Sequence, residues 1–87
     1  MADWIGHIAF DPATSEKLRR KHNLTDEEVV EAVAHGNHDR AVWDDEEAYG
    51  ERLVLTGSTY NGRRIIAYLR PIDRDDGTWE CMTAWER

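Results

Sequence analysis

The chain is 87 residues long, which leaves room for one hydrophobic core and no second, so residues 1–87 are read as a single domain. With 18 acidic against 11 basic side chains the formal net charge is −7, a field that repels a phosphate backbone and counts against simple nucleic-acid binding by the molecule as a whole. No apolar run approaches a membrane span, Met1-Ala2-Asp3-Trp4 lacks the basic and apolar regions of a signal peptide, and the lone Cys81 can neither close an internal disulfide nor complete a zinc site; a cytoplasmic protein with no metal or other cofactor is expected.

In chain order, Ile8-Ala9-Phe10 predicts a short strand, and Asp11-Pro12 supplies an N-cap and a proline for the first helical position. The helix that follows, Pro12 to about His22, offers only Ala13 and Leu18 as apolar contacts. It ends in the basic run Arg19-Arg20-Lys21-His22, which suits the macrodipole and places the helix at the edge of the fold. Thr25-Asp26-Glu27-Glu28 is a capping box opening a second helix, which is expected to run to about His35, bury Val29, Val30 and Val33, and stop at Gly36. A short edge strand is expected over Arg40 to Trp43, then a solvated loop at Asp44-Asp45-Glu46-Glu47 whose charge could meet a basic partner. Arg52 to Tyr60 and Arg63 to Arg70 read as strands joined at Asn61-Gly62, and a turn around Asp75 to Gly77 returns Thr78 to Trp85 as the last strand. The expected fold is α+β, with two N-terminal helices packed on one face of an antiparallel sheet in the order β-α-α-β-β-β.

A two-residue turn at Asn61-Gly62 sets a register in which Tyr60, Ser58, Thr56 and Val54 face Arg63, Ile65, Ala67 and Leu69. With Met82 and Ala84 from the last strand, that side is the expected core face beneath the helix valines. The opposite side then holds Leu53, Leu55, Thr59, Arg64, Ile66, Tyr68 and Arg70, joined by Trp79, Cys81, Thr83 and Trp85. Arginine forks suit phosphate and aromatic rings suit bases, although the same residue types also serve simply to cover a sheet. Four tryptophans exceed what so small a core needs.

Phe10-Asp11-Pro12, Lys21-His22, Glu27-Glu28, Arg52 and Gly62-Arg63, taken in this order and spacing, resemble the BrnT-type toxins over about Ile8 to Trp85. Such toxins are similar in fold to RelE and ParE. The resemblance implies the toxin component of a type II toxin-antitoxin system, a metal-independent endoribonuclease acting on mRNA and silenced by a cognate DNA-binding antitoxin. The chain departs from the family in its acidity and in Thr83-Ala84-Trp85, where members carry a Ser-Ala-Arg-like triplet. Both departures keep open the alternative of a non-catalytic protein-interaction module with the same fold; a homodimer is compatible with either.

Metal-free RNA cleavage needs a base for the 2′-hydroxyl, an acid for the leaving oxygen and a cation on the phosphate. Lys21, His22, Arg64 and Tyr68 are the candidate catalytic residues, and Arg63, Arg70 and Trp85 the candidate RNA contacts. His22 would equally cap the last helical carbonyls, and Arg63 would equally be a solvated hairpin-end residue. His7, His35 and His38 are too dispersed for a metal motif, and Cys81 on a strand suits a buried thiol better than a nucleophile.

Overall fold

The computed structural model describes residues 3–46 and 50–87. Within them the chain runs β1 (His7–Ala9), α1 (Pro12–His22), α2 (Asp26–Val33), β2 (Arg40–Glu46), β3 (Gly50–Ser58), β4 (Arg64–Asp73) and β5 (Thr78–Glu86). The fold is α+β, as expected, but the order is β-α-α-β-β-β-β and the sheet is mixed, not antiparallel. Its strands lie in the order β1-β5-β4-β3-β2, with β1 parallel to β5 and the other neighbours antiparallel. A parallel pair needs a long crossover, and α1, α2 and the rest of the chain supply it. The Gly77 carbonyl fixes the entry of β1 by accepting the amides of Gly6 and His7 at 2.8 and 2.9 Å.

α1 spans the expected residues. Asp11 Oδ1 accepts the Ala13 amide at 2.9 Å, Pro12 occupies the first turn, and Asn23 stops the helix in the left-handed region at φ 52°. In α2 the Glu28 amide donates to Thr25 Oγ1 at 3.2 Å, and the Thr25 amide returns to Glu28 Oε1 at 3.0 Å. This helix ends at Val33, short of the expected His35, because side chains beyond it take its last carbonyls. His38 Nδ1 donates to the Val33 carbonyl and Asn37 Nδ2 to that of Glu31, both at 3.0 Å, while the His35 amide turns away to Ile5 at 2.8 Å.

The acidic segment is strand rather than loop as far as Glu46; Glu47 lies outside the described residues. Asp44 stands opposite Arg52, and this one pair of opposite charges favours extension of β2 past Trp43, against the like charges of Asp45 and Glu51 that face each other next. As an edge strand, β2 gains from carboxylates that discourage pairing with other chains.

The central hairpin is one residue out of the expected register. Its loop holds three residues, Tyr60, Asn61 and Gly62: the Gly62 amide donates to the Thr59 carbonyl at 3.0 Å, the Thr59 amide to the Arg63 carbonyl at 2.9 Å, and Gly62 alone of the three has positive φ, 91°. This is a type I turn with a glycine bulge, whereas a type I′ turn needs positive φ at Asn61 as well. The Thr59 hydroxyl decides between them by donating to Asn61 Oδ1 at 2.6 Å and accepting the Arg63 amide at 3.0 Å. In consequence Leu53, Leu55 and Thr59 turn to the helices with Ile65, Ala67 and Leu69, and Val54, Thr56 and Ser58 join Arg64, Ile66 and Tyr68 on the other side.

A second irregularity corrects the placement of the last strand. The β4–β5 register shifts between Tyr68 and Leu69, so that Tyr68 pairs with Thr83 but Leu69 with Cys81, leaving Met82 as an extra residue. Trp79 and Cys81 are therefore buried under the helices together with Ala84, while Thr83 and Trp85 keep the expected open side. Against these strands pack Leu18 of α1, Leu24, and Val29, Ala32 and Val33 of α2, with Val30 only partly buried. α2 approaches β3 at Gly57, where a Cβ would fall 1.8 Å from the Ala32 carbonyl oxygen. No helix among the described residues is long and apolar enough to cross a membrane.

Candidate functional site

Both helices lie on one face of the sheet, and the other face is left to side chains from four strands. Across it, Arg40, Thr56, Ile66 and Trp85 form one row, and Val42, Val54, Tyr68 and Thr83 the next. Asp44 on the edge strand β2 and Arg52 on its neighbour β3 follow.

A ladder of neighbouring ring and guanidinium groups crosses these rows diagonally. It begins at His22, the last residue of α1, whose ring centroid is 6.4 Å from that of Trp85. Trp85 stacks on Tyr68 at 5.2 Å with 27° between the planes, and the Arg52 guanidinium carbon sits 4.6 Å from the Tyr68 centroid. Arg52 closes the ladder on β2 by donating to Asp44 Oδ2 from Nη2 at 2.8 Å and from Nε at 3.0 Å. A cation over a ring face and an offset ring pair each favour a fixed geometry, so Tyr68 is held from both sides.

Beside the ladder the sheet forms a concavity of about 510 Å³. Val54, Thr56 and Ile66 lie along it with Tyr68 and Trp85, and Arg40 and Arg87 contribute the cations that no carboxylate among the described residues neutralises. Asp44, paired with Arg52, also lines the concavity on β2, so a planar body with an attached anion fits this lining with its anion at the Arg40 and Arg87 end.

The seven residues singled out from the sequence are distributed unevenly. His22, Tyr68 and Trp85 come together in the ladder, although Trp85 stands between the other two. Lys21 is exposed beside His22 at the end of α1. Arg64 shares the open face but donates from Nη1 to Asp39 at 2.7 Å and to Ser58 Oγ at 3.0 Å. That hydrogen bond holds the Asp39 carboxyl below its usual range and pushes the guanidinium further up. Arg70, at the far end of the face, is bonded to Glu80.

Arg63 lies outside the open face. It turns to the helix side, where it donates to Glu28 at 2.6 Å, to Glu86 at 2.9 Å and to the Asn23 carbonyl at 3.1 Å, tying the α1–α2 linker, α2 and β5 together. Only 21% of its side chain is exposed, so Arg63 acts as an internal strut. The Glu28 carboxyl is held below its usual range, first by the Thr25 amide and then by Arg63.

Cys81 is also withdrawn from chemistry, since burial, with Asp26 and Glu80 nearby, pushes its thiol up to about 12. His35 serves the N-terminal segment, its Nε2 bonding the Gly6 carbonyl at 3.0 Å.

Sequence reasoning missed Arg40, Thr56 and Arg87, and gave Arg52 no place in the site. The charge pair Asp44–Arg52 was the available signal: placing those residues opposite one another fixes the β2–β3 register and brings Arg40 beside Thr56. Comparison of the chain with protein-family models, curated proteins and solved structures gives no match.

Proposed function

We propose that this chain is a BrnT-like toxin of a type II toxin-antitoxin pair, a cytoplasmic, metal-independent endoribonuclease that receives single-stranded mRNA on the uncovered face of its sheet. The observation that carries this reading is the His22–Trp85–Tyr68 ladder, in which an indole and a phenol from β5 and β4 stand on the open face and the imidazole at the end of α1 meets the indole. Aromatic side chains on an open sheet are stacking platforms for unpaired bases. The arrangement of two helices after the first strand, followed by antiparallel strands, supports the RelE-like part of the reading.

In the cleavage step the 2′-oxygen attacks the adjacent phosphorus as its proton passes to a base, and the bond to the 5′-oxygen breaks as that oxygen takes a proton. The products are a 2′,3′-cyclic phosphate and a 5′-hydroxyl. His22 and Tyr68 are the groups of the ladder able to move those protons. Because Trp85 separates them, a given phosphodiester is served by one of the two, which takes the 2′-hydroxyl proton and returns a proton to the leaving 5′-oxygen through water, and single variants identify which.

The purified protein is expected to cut unstructured RNA in the presence of a chelator, leaving cyclic-phosphate ends, and its expression to arrest growth until a cognate antitoxin is supplied. Loss of cutting in folded Tyr68→Phe or His22→Gln assigns the proton-transfer group. A second reading, a non-catalytic interaction module, is favoured by one observation: Arg64 and Arg70 are already bonded to Asp39 and Glu80. RNA left intact by the folded protein, with partner binding retained, would establish that reading instead.

A further inference from the structure

On the basis of the RNA reading, we infer that Arg40 and Arg87 form the anion-binding pair of the open face, holding backbone phosphate while one nucleotide occupies the concavity against Thr56, Ile66 and Trp85. Neither residue stands out in the sequence, because one begins β2 and the other follows β5, at opposite sides of the sheet. Pairing brings them to one end of one face: Arg40 lies opposite Thr56, Thr56 opposite Ile66, and Ile66 opposite Trp85, two residues before Arg87. The Arg87 amide donates to the Arg64 carbonyl at 2.9 Å, which continues the β4 pairing past β5 and fixes the backbone of Arg87 beside the groove.

Charge bookkeeping on this face selects the same two residues. Arg52, Arg64 and Arg70 hold Asp44, Asp39 and Glu80, so a phosphate would have to displace a carboxylate to reach any of them. Arg40 and Arg87 carry no ion pair among the described residues, and both line the concavity. A guanidinium without a carboxylate partner presents its full fork of donors to a phosphate. The apolar floor at Val54 and Ile66 and the aromatic wall at Trp85 suit a base, and a volume of about 510 Å³ falls within the range of small-ligand sites.

The molecule's net charge of −7 limits the occupant. That field disfavours a long polyanion, so binding through Arg40 and Arg87 involves about two phosphates and has a shallow salt dependence, a slope of about −1.4 in log K against log salt for a single strand. A conventional basic RNA-binding surface gives a much steeper one.

The test is fluorescence anisotropy of a labelled, unstructured RNA heptamer between 50 and 300 mM salt, with wild type, Arg40→Gln, Arg87→Gln and the double variant, all checked for folding by circular dichroism. Wild type is expected to show the shallow slope. Each single variant is expected to bind about tenfold more weakly and to lose about 0.7 from the slope, as for one charge-assisted phosphate contact. RNA binding by wild type that the double variant reproduces unchanged would overturn the Arg40–Arg87 site while leaving the RNA reading intact. Absence of RNA binding by wild type at the lowest salt would overturn that reading and the site with it.

Discussion

Gly57→Ala is the sharpest structural test of how the helix layer meets the sheet. The added Cβ would lie 1.8 Å from the Ala32 carbonyl oxygen and 2.8 Å from its carbonyl carbon, and both are backbone atoms that no rotamer change can move. Restoring ordinary contact requires α2 to retreat from β3 by about 1.5 Å, which loosens Val29, Ala32 and Val33 against the sheet. Overpacking of this kind costs about 1–3 kcal/mol, and a backbone obstacle puts the variant near the upper end. For a domain of 87 residues the unfolding entropy is near 0.18 kcal/mol/K, so about 3 kcal/mol lowers the melting temperature by about 15 °C. Thermal melts followed by far-ultraviolet circular dichroism measure it. Gly62→Ala is the comparison: nothing stands within 4 Å of its Cβ, and only the positive φ of 91° opposes it. It should cost about 1–2 kcal/mol and a correspondingly smaller shift. A Gly57→Ala melting temperature within a few degrees of wild type would show that α2 does not rest on β3 at this point.

The stability contributed by Glu28 depends on pH with a definite sign: its folded carboxyl titrates below the ordinary glutamate range, so its contribution is complete above that range and is lost as pH falls through the lower folded value. Urea midpoints measured from pH 6 to pH 2.5 should therefore fall with acid, and Glu28→Gln should flatten the fall; parallel profiles would remove Glu28 from the account. Cys81, fully buried and with its thiol pushed up to about 12, should resist thiol reagents at pH 8 and react at the rate of unfolding, so immediate labelling of the native protein would contradict its placement. Asp39→Asn releases Arg64 beside Arg87, and RNA affinity should rise severalfold with a steeper salt slope; an unchanged slope would show that Arg64 does not face the bound strand.

Much of the fold was legible because its signals are local. Asp11-Pro12 and the Thr25–Glu28 capping box each act within one helical turn, and the structure starts both helices where those residues place them. Alternation along β4 likewise put Arg64, Ile66 and Tyr68 on one side and Ile65, Ala67 and Leu69 on the other, whatever the strand's partners. For the site, His22, Tyr68 and Trp85 were legible as residue types, and their assembly into one ladder was not.

Tertiary structure decided what depends on pairing. Asn61-Gly62 permits a two-residue or a three-residue loop with little difference in local cost, and the Thr59 hydroxyl bonds select the longer one, which exchanges every β3 side chain between the two faces. The extra residue at Met82 does the same to half of β5, and burying Trp79 with Cys81 in the core outweighs the lost ladder bonds. That Arg40 on β2 and Arg87 just after β5 line one concavity requires every register between them to be fixed. Composition, capping and alternation thus determined an acidic α+β domain with an Arg-aromatic strand at its centre. Only the pairing of distant strands determined which arginines of the open face carry no ion pair among the described residues, because that depends on contacts between residues far apart in the chain.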